Sequence, residues 1–163
     1  MVIKSKVVTS SGIDIGTSSV KAVKVLIKET EIELSGFGVS RMKNPESRQE
    51  IIECIKKSAQ DAGLEEKLVN IAALGNAVIV RYLILPKMTK EELKNAIKFE
   101  AEKYVPFNME DVIFDYQILE DNLEDNKMRL LLVVAKKDYI NNRLKLIEEA
   151  GFGTKIIDVD SFA

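Results

Sequence analysis

Residues 12–21 read "GIDIGTSSVK", a run that brings a carboxylate, two glycines, three hydroxyls and an ammonium into one short stretch. In a strand of period two, Ile13 and Ile15 fall on one face. Asp14 falls on the other, at the strand's end, where a carboxylate reaches a ligand instead of a core. Gly16 is expected to bend the backbone with positive φ and to let it approach a ligand closely. The amides and hydroxyls of Thr17, Ser18 and Ser19 can then converge on an anion. A magnesium ion suits Asp14, because Mg²⁺ takes one or two carboxylates, directly or through water, together with phosphate oxygens. Lys21 would bring a point charge to those phosphates. It shares a strand face with Val23, Val25 and Ile27, whereas Lys24 on the other face reads as a solvated lysine. The same residue types also build an ordinary hairpin turn, and taken alone the stretch leaves both readings open.

The elements that must hold this turn follow from periodicity. Residues 7–15, 19–28 and 31–40 are rich in Val and Ile, and "KETE" (28–31) is a polar hairpin between the second and third strands. Ser47 is placed to cap a helix whose stripe is Ile51, Ile55, Ala59 and Ala62, ended by Gly63. Cys54 lies beside that stripe and reads as a small buried hydrophobe, since no base is at hand to activate it. Residues 69–75 and 76–86 read as two strands, the second closed by Pro86. Thr89 and Glu92 form a capping box for a helix over 89–105 with Leu93, Ala96, Ile97 and Ala101 inward, stopped by "PFN". Tyr104 continues that spacing and is expected in the core. Phe107, past Pro106, falls outside the helical register and is free to line a groove.

The strands "VIFDYQIL" and "MRLLLVVA" flank an acidic turn over 120–127, read as a solvated hairpin tip. Asp138 is then expected to cap a helix with Ile140, Leu144 and Ile147 inward and Gly151 at its end. A final strand covers 154–160. The order βββαββαββαβ, mixing hairpins with helical crossovers, argues for α/β or α+β layers.

Bulk composition removes several function classes. The chain has 163 residues, 46% of them hydrophobic, and a net charge of −2, so it can bury a core but offers no basic field for nucleic acid. With one cysteine and no histidine, neither an intramolecular disulfide, a zinc cluster nor a Ser/His/Asp triad can form, and a reducing cytoplasm is the expected compartment. No apolar run approaches the roughly 18 residues that a membrane span needs, so membrane association is expected only through partners. "GFGVS" (36–40) and "GFGT" (151–154) share only glycines with phosphate-binding loops, and no P-loop or Rossmann motif occurs.

"GIDIGTSSVKAVKV" resembles the first phosphate motif of the actin-like ATPase superfamily, which includes actin, chaperone ATPases, sugar kinases and the division protein FtsA. The resemblance implies that Asp14, Gly16, Thr17, Ser18, Ser19 and Lys21 bind phosphates, with Asp14 on magnesium through water. "VIVRYLILPKMTKEELKNAIKFEAEKYVPFNMEDVIFDYQIL", followed by "LLLVVAKKDYINNRLKLIEEAGF" and "IIDVDSFA", is similar to the PilM-like branch, whose members assemble type IV pili. For that family the expected architecture is an actin-like, ribonuclease H-like mixed sheet with an inserted strand-helix-strand-strand (SHS2-like) subdomain. Here the first subdomain would span 1–84 with 155–163, and the insertion 85–154. The second nucleotide-binding lobe would be absent, so that ATP and Mg belong to the complete protein and the chain itself binds neither well. The aspartates of "DVDSFA" read as a strand end entering the interlobe connection.

Functionally, the resemblance implies a cytoplasmic scaffold, peripheral to the inner membrane, with other pilus platform proteins as partners. It would dock the cytoplasmic tail of PilN in a groove between the two subdomains, where Tyr104 and Phe107 are the candidate contacts. The alternatives are an ATP hydrolase or kinase of the same superfamily, or an FtsA-like division scaffold. Catalytic residues are not identifiable, and at most a weak ATPase is expected of the full-length form.

Overall fold

The computed structural model describes residues 7–74 and 77–160. The strand ends expected at 75–76 and the close of the "DVDSFA" segment at 161–163 lie outside the described residues. The elements are β1 (Val8–Ile15), β2 (Ser19–Ile27), β3 (Ile32–Arg41), α1 (Arg48–Asp61), β4 (Leu68–Ala73), β5 (Val78–Pro86), α2 (Lys90–Glu102), β6 (Val112–Leu123), β7 (Lys127–Lys136), α3 (Lys137–Glu149) and β8 (Gly153–Val159). Their order is the one the periodicity predicts. They form two compact units, one of residues 1–74 with 142–163 and the other of residues 75–141.

The first unit is built on a five-stranded sheet of order β3-β2-β1-β4-β8. β1, β2 and β3 pair antiparallel as a meander, while β4 joins β1 and β8 in parallel. Parallel neighbours need a crossover, and α1 provides it between β3 and β4. Ser47 caps α1 by accepting from the Glu50 amide at 3.3 Å. The Glu50 carboxylate in turn accepts the Lys43 and Asn44 amides at 2.5 and 2.9 Å. The apolar face of the sheet (Ile13, Ile15, Val20, Ala22, Val69, Ile71) packs with Ile52 and Ile55 of α1 and Leu146 and Ile147 of α3. Ile55 and Ile147 are fully buried, each contributing roughly 1.5–3 kcal/mol.

Two glycines set how closely α1 lies on β3. A Cβ at Gly36 would stand 2.0 Å from the Ala62 carbonyl oxygen, and one at Gly38 would stand 2.1 Å from that of Ser58. The glycines of "GFGVS" therefore serve packing. Arg48 at the start of α1 fastens α3, donating to Asn142 at 2.9 Å and to the Glu149 carboxylate at 3.1 and 2.6 Å. That bidentate fork holds the Glu149 carboxyl below, and the Arg48 guanidinium above, their ordinary values.

The second unit is a strand-helix-strand-strand arrangement with an antiparallel sheet of order β5-β7-β6. Leu93, Ile97 and Ala101 of α2 pack with Leu83, Leu85, Leu130 and Leu132. The Thr89–Glu92 capping box forms as expected. The unit limits differ from the expected 84/85 and 154/155. β5 is paired with β7 along its whole length, from Val78 opposite Ala135 to Pro86 opposite Lys127, and the later half of α3 joins the first core.

Four local expectations change. α2 ends at Glu102 with Lys103 as its cap, so Tyr104 leaves the helical register and is exposed, not core. α3 starts at Lys137, directly after β7, which puts Asp138 in the first helical turn and not at the cap; there its charge faces the positive end of the helix. β6 continues through "EDNL", so the acidic tip shrinks to Glu124–Asn126, where Asp125 and Asn126 take φ of 59° and 56°. Asp and Asn tolerate that left-handed region because their short side chains bond locally. The fourth change, at Gly16, belongs to the site.

Candidate functional site

β1 and β2 deliver Asp14 and Lys21 as direct cross-strand neighbours, two pairs above the turn. The Lys21 Nζ donates to Asp14 Oδ2 at 3.0 Å. The other carboxylate oxygen, Asp14 Oδ1, is buried and has no hydrogen-bond partner. A buried, unpaired carboxylate oxygen is costly in a folded chain unless a ligand or ordered water satisfies it. The ion pair beside it is weakly held, because the Lys21 side chain is 51% exposed and an exposed pair is worth about 0–1 kcal/mol.

Residues 16–18 form the turn. The Gly16 amide donates to the Ser19 carbonyl at 2.9 Å, and the Met42 amide ties the Ser18 carbonyl at 2.9 Å. Gly16 does not take positive φ; among the described glycines only Gly63 and Gly151 do. Its lack of a side chain matters for another reason: a Cβ there would sit 3.0 Å from the Ser19 carbonyl oxygen that closes the turn. Thr17 and Ser18 are exposed and Ser19 is partly so, leaving their hydroxyls open to solvent. The sequence-predicted set of Asp14, Gly16, Thr17, Ser18, Ser19 and Lys21 is thus contiguous at one end of the hairpin.

Asp14 and Lys21 also border a cleft of about 390 Å³ along the sheet, lined in addition by Phe37, Asn70 and Asp158. Asn70 donates to the Ser10 hydroxyl at 3.0 Å, and its Oδ1 is a second buried oxygen without a partner. Asp158 accepts from the Val159 amide at 2.7 Å. Sequence reasoning passed over Asn70. The available signal was a polar residue in the apolar strand "LVNIAA", on the alternation that faces away from Val69 and Ile71. The donor set around Asp14 fits magnesium: hard oxygens from one carboxylate and neighbouring hydroxyls, with space for water. No cluster of three or more metal-ligating side chains occurs among the described residues, so such an ion would depend on water and phosphate oxygens for its remaining ligands.

In the second unit, Phe107 is 40% exposed and carries the Lys136 ammonium 3.9 Å from its ring centre. It lines a recess of about 670 Å³ with Glu102, Val105, Pro106, Asp111 and Lys136. Tyr104 does not line that recess, so the two aromatics are not brought together there. Cys54 is buried, and burial, followed by the nearby Glu50 carboxylate, pushes its thiol above the ordinary value, as an inert core cysteine requires.

A mixed five-stranded sheet whose first hairpin presents this turn, combined with a strand-helix-strand-strand insertion, defines a two-unit α/β protein. The chain belongs to the family of the type IV pilus assembly protein PilM, whose family model matches residues 12–163. Its fold is similar to that of a chain in a solved PilM-PilN type IV pilus biogenesis complex, at 24% identity and a TM-score of 0.81, covering 94% of this chain and 48% of that one. It is also similar to the cytoplasmic domain of EpsL, an inner membrane component of the type II secretion system of Vibrio cholerae. There the identity is 12% and the TM-score 0.60, covering 92% of this chain and 57% of that one. The chain spans about half the length of these solved chains.

Proposed function

We propose that the protein serves type IV pilus assembly as a nucleotide-dependent scaffold that binds MgATP in its complete form and docks the cytoplasmic tail of a PilN-type membrane protein. The observation that carries the nucleotide half is the buried, unpartnered Asp14 Oδ1 beside the loosely held Lys21 and the open hydroxyls of Thr17, Ser18 and Ser19. In this reading Asp14 orients magnesium through water, and the turn and Lys21 take the phosphates. Magnesium, when bound, supplies charge neutralisation between the phosphate oxygens and the carboxylate.

A second wall for the adenosine would come from polypeptide outside this chain, in keeping with the greater length of the solved relatives. The exposed Ile32, Leu34, Phe37 and Val39 of β3 support such a covering partner. Among the described residues no helix is long and apolar enough to cross a membrane. The proposal places the protein on the cytoplasmic side of the inner membrane, held there by PilN and other platform proteins. For the tail, the Phe107 recess offers an aromatic surface fixed by Pro106 next to polar groups, the combination an extended peptide needs.

Calorimetry with MgATP on the full-length polypeptide tests the nucleotide half. Asp14→Ala is expected to abolish magnesium-dependent binding and to leave the melting temperature nearly unchanged, because the residue faces the cleft and its ion pair is exposed. Residues 1–163 alone are expected to bind more weakly than micromolar, with adenine and ribose uncontacted. Unchanged binding by Asp14→Ala would reduce the turn to an ordinary hairpin.

A further inference from the structure

At the carboxyl end of β1 the Ile15 carbonyl accepts a hydrogen bond from α3. Because the Gly16 amide donates to the Ser19 carbonyl, Ile15 and Val20 form a non-hydrogen-bonded pair of the antiparallel ladder. The Ile15 carbonyl therefore points away from β2 and toward the β4 side. There the parallel ladder pairs Gly12 with Asn70 and Ile13 with Ile71, and extends no further. Ile15 is buried, so its carbonyl needs a donor from the protein. The Nη1 of Arg143 provides it, from 128 residues along the chain.

The Ile15 carbonyl and the Gly16 amide belong to one planar peptide group. Arg143 holds that plane at its oxygen and Ser19 holds it at its nitrogen. The plane separates Asp14 from Thr17, so its rotation would swing the carboxylate and the hydroxyls out of their common direction. Arginine suits the task, being permanently charged and planar. Its helix is itself anchored, since Arg48 binds both Asn142, the residue before Arg143, and Glu149.

We propose that Arg143 is a positioning residue for the anion-binding turn, fixing the Ile15–Gly16 peptide plane so that Asp14 and residues 17–19 face the same ligand. This assignment rests on the phosphate reading above and adds the residue that keeps the turn in register.

The test uses the labelled full-length polypeptide and its variants Arg143→Met and Arg143→Lys. Amide hydrogen exchange is read by NMR, and magnesium pyrophosphate is the ligand probe. Arg143→Met is expected to speed exchange of the Gly16 amide by about tenfold, with Ile55 and Ile71 unchanged, and to weaken pyrophosphate binding at least about fivefold. Arg143→Lys, which keeps a charged donor, should recover most of both effects. Unchanged Gly16 exchange in Arg143→Met overturns the assignment. So does equal acceleration at Gly16, Ile55 and Ile71, the mark of a generally loosened core. If the parent's 17–19 amides do not respond to magnesium pyrophosphate, the phosphate reading fails and takes the assignment with it. If parent and Arg143→Met respond with equal affinity, the phosphate reading stands and the assignment alone fails.

Discussion

Replacing Gly38 by alanine should destabilise the first unit far more than the loss of a glycine ordinarily costs. The new Cβ would stand 2.1 Å from the Ser58 carbonyl oxygen and 2.9 Å from the Asp61 Cβ, whereas ordinary contact begins at 3.4 Å. Both neighbouring groups are on α1, and the nearer one is backbone, so no side-chain rotation relieves the clash. The helix must retreat by roughly 1 Å or more, which breaks the close packing around the fully buried Ile55 and Ser58. Overpacking costs about 1–3 kcal/mol, and a backbone clash in a tight seam belongs at the upper end. At about 3 kcal/mol and an m-value of about 2 kcal/mol per molar urea, the midpoint should fall by about 1.5 M. Gly12→Ala is the control. Its Cβ meets Val23 Cγ1 at 3.4 Å and the Asn70 oxygen at 3.9 Å, and its cost should stay within about 0.5–1 kcal/mol. Urea unfolding followed on NMR signals of Ile55 and Leu93, one in each unit, separates the affected unit from the other. If Gly38→Ala unfolds at the parent's urea concentration, or Gly12→Ala is the more damaging change, the packing account of these glycines is wrong.

Other consequences concern charge and surface. Burial opposes ionisation of Glu66, but its own amide, the Ser11 hydroxyl at 2.8 Å, Lys24 and the Glu65 amide outweigh it and hold the carboxyl below the usual 4.5. Because the folded value is depressed, the stabilisation is full above about pH 4.5 and fades as pH falls through the folded value. Ser11→Ala should therefore be less stable than the parent at pH 7, with the deficit shrinking at pH 3; a deficit that does not depend on pH counts against this. Phe107→Ala should weaken binding of a PilN-type tail peptide by at least about 1 kcal/mol with little change in melting temperature, as read by fluorescence anisotropy beside thermal melts. Unchanged affinity with an intact fold would place the tail elsewhere. Tyr104→Ala should alter stability by no more than about 0.5–1 kcal/mol, and a larger loss in chemical denaturation would return that ring to the core.

What the sequence revealed depends on how local each constraint is. Ser47 and the Thr89–Glu92 box were legible because a cap and its amide lie within three residues. The helix end at Glu102 was not legible, because no glycine marks it and Pro106 dictates only that the helix be over before residue 105. Asn70 and Asp158 join the cleft only because β4 lies between β1 and β8, an adjacency that strand patterns do not encode. Arg143 is hidden for the same reason, since its acceptor is 128 residues away.

The ion pair at the site is different, because it was legible in principle. Asp14 and Lys21 are equally far from the centre of the Thr17–Ser18 turn, and an antiparallel hairpin must then place them opposite each other, as the register shows. That arithmetic accounts for a lysine on a strand face otherwise occupied by Val23, Val25 and Ile27. It holds one oxygen of Asp14 while the other stays buried and unpaired. An exposed pair of this kind is worth no more than about 1 kcal/mol, so the same ammonium can turn to an incoming anion at small cost. In the phosphate reading proposed above, the turn would therefore keep a carboxylate in place between binding events and still offer a cation when a ligand arrives.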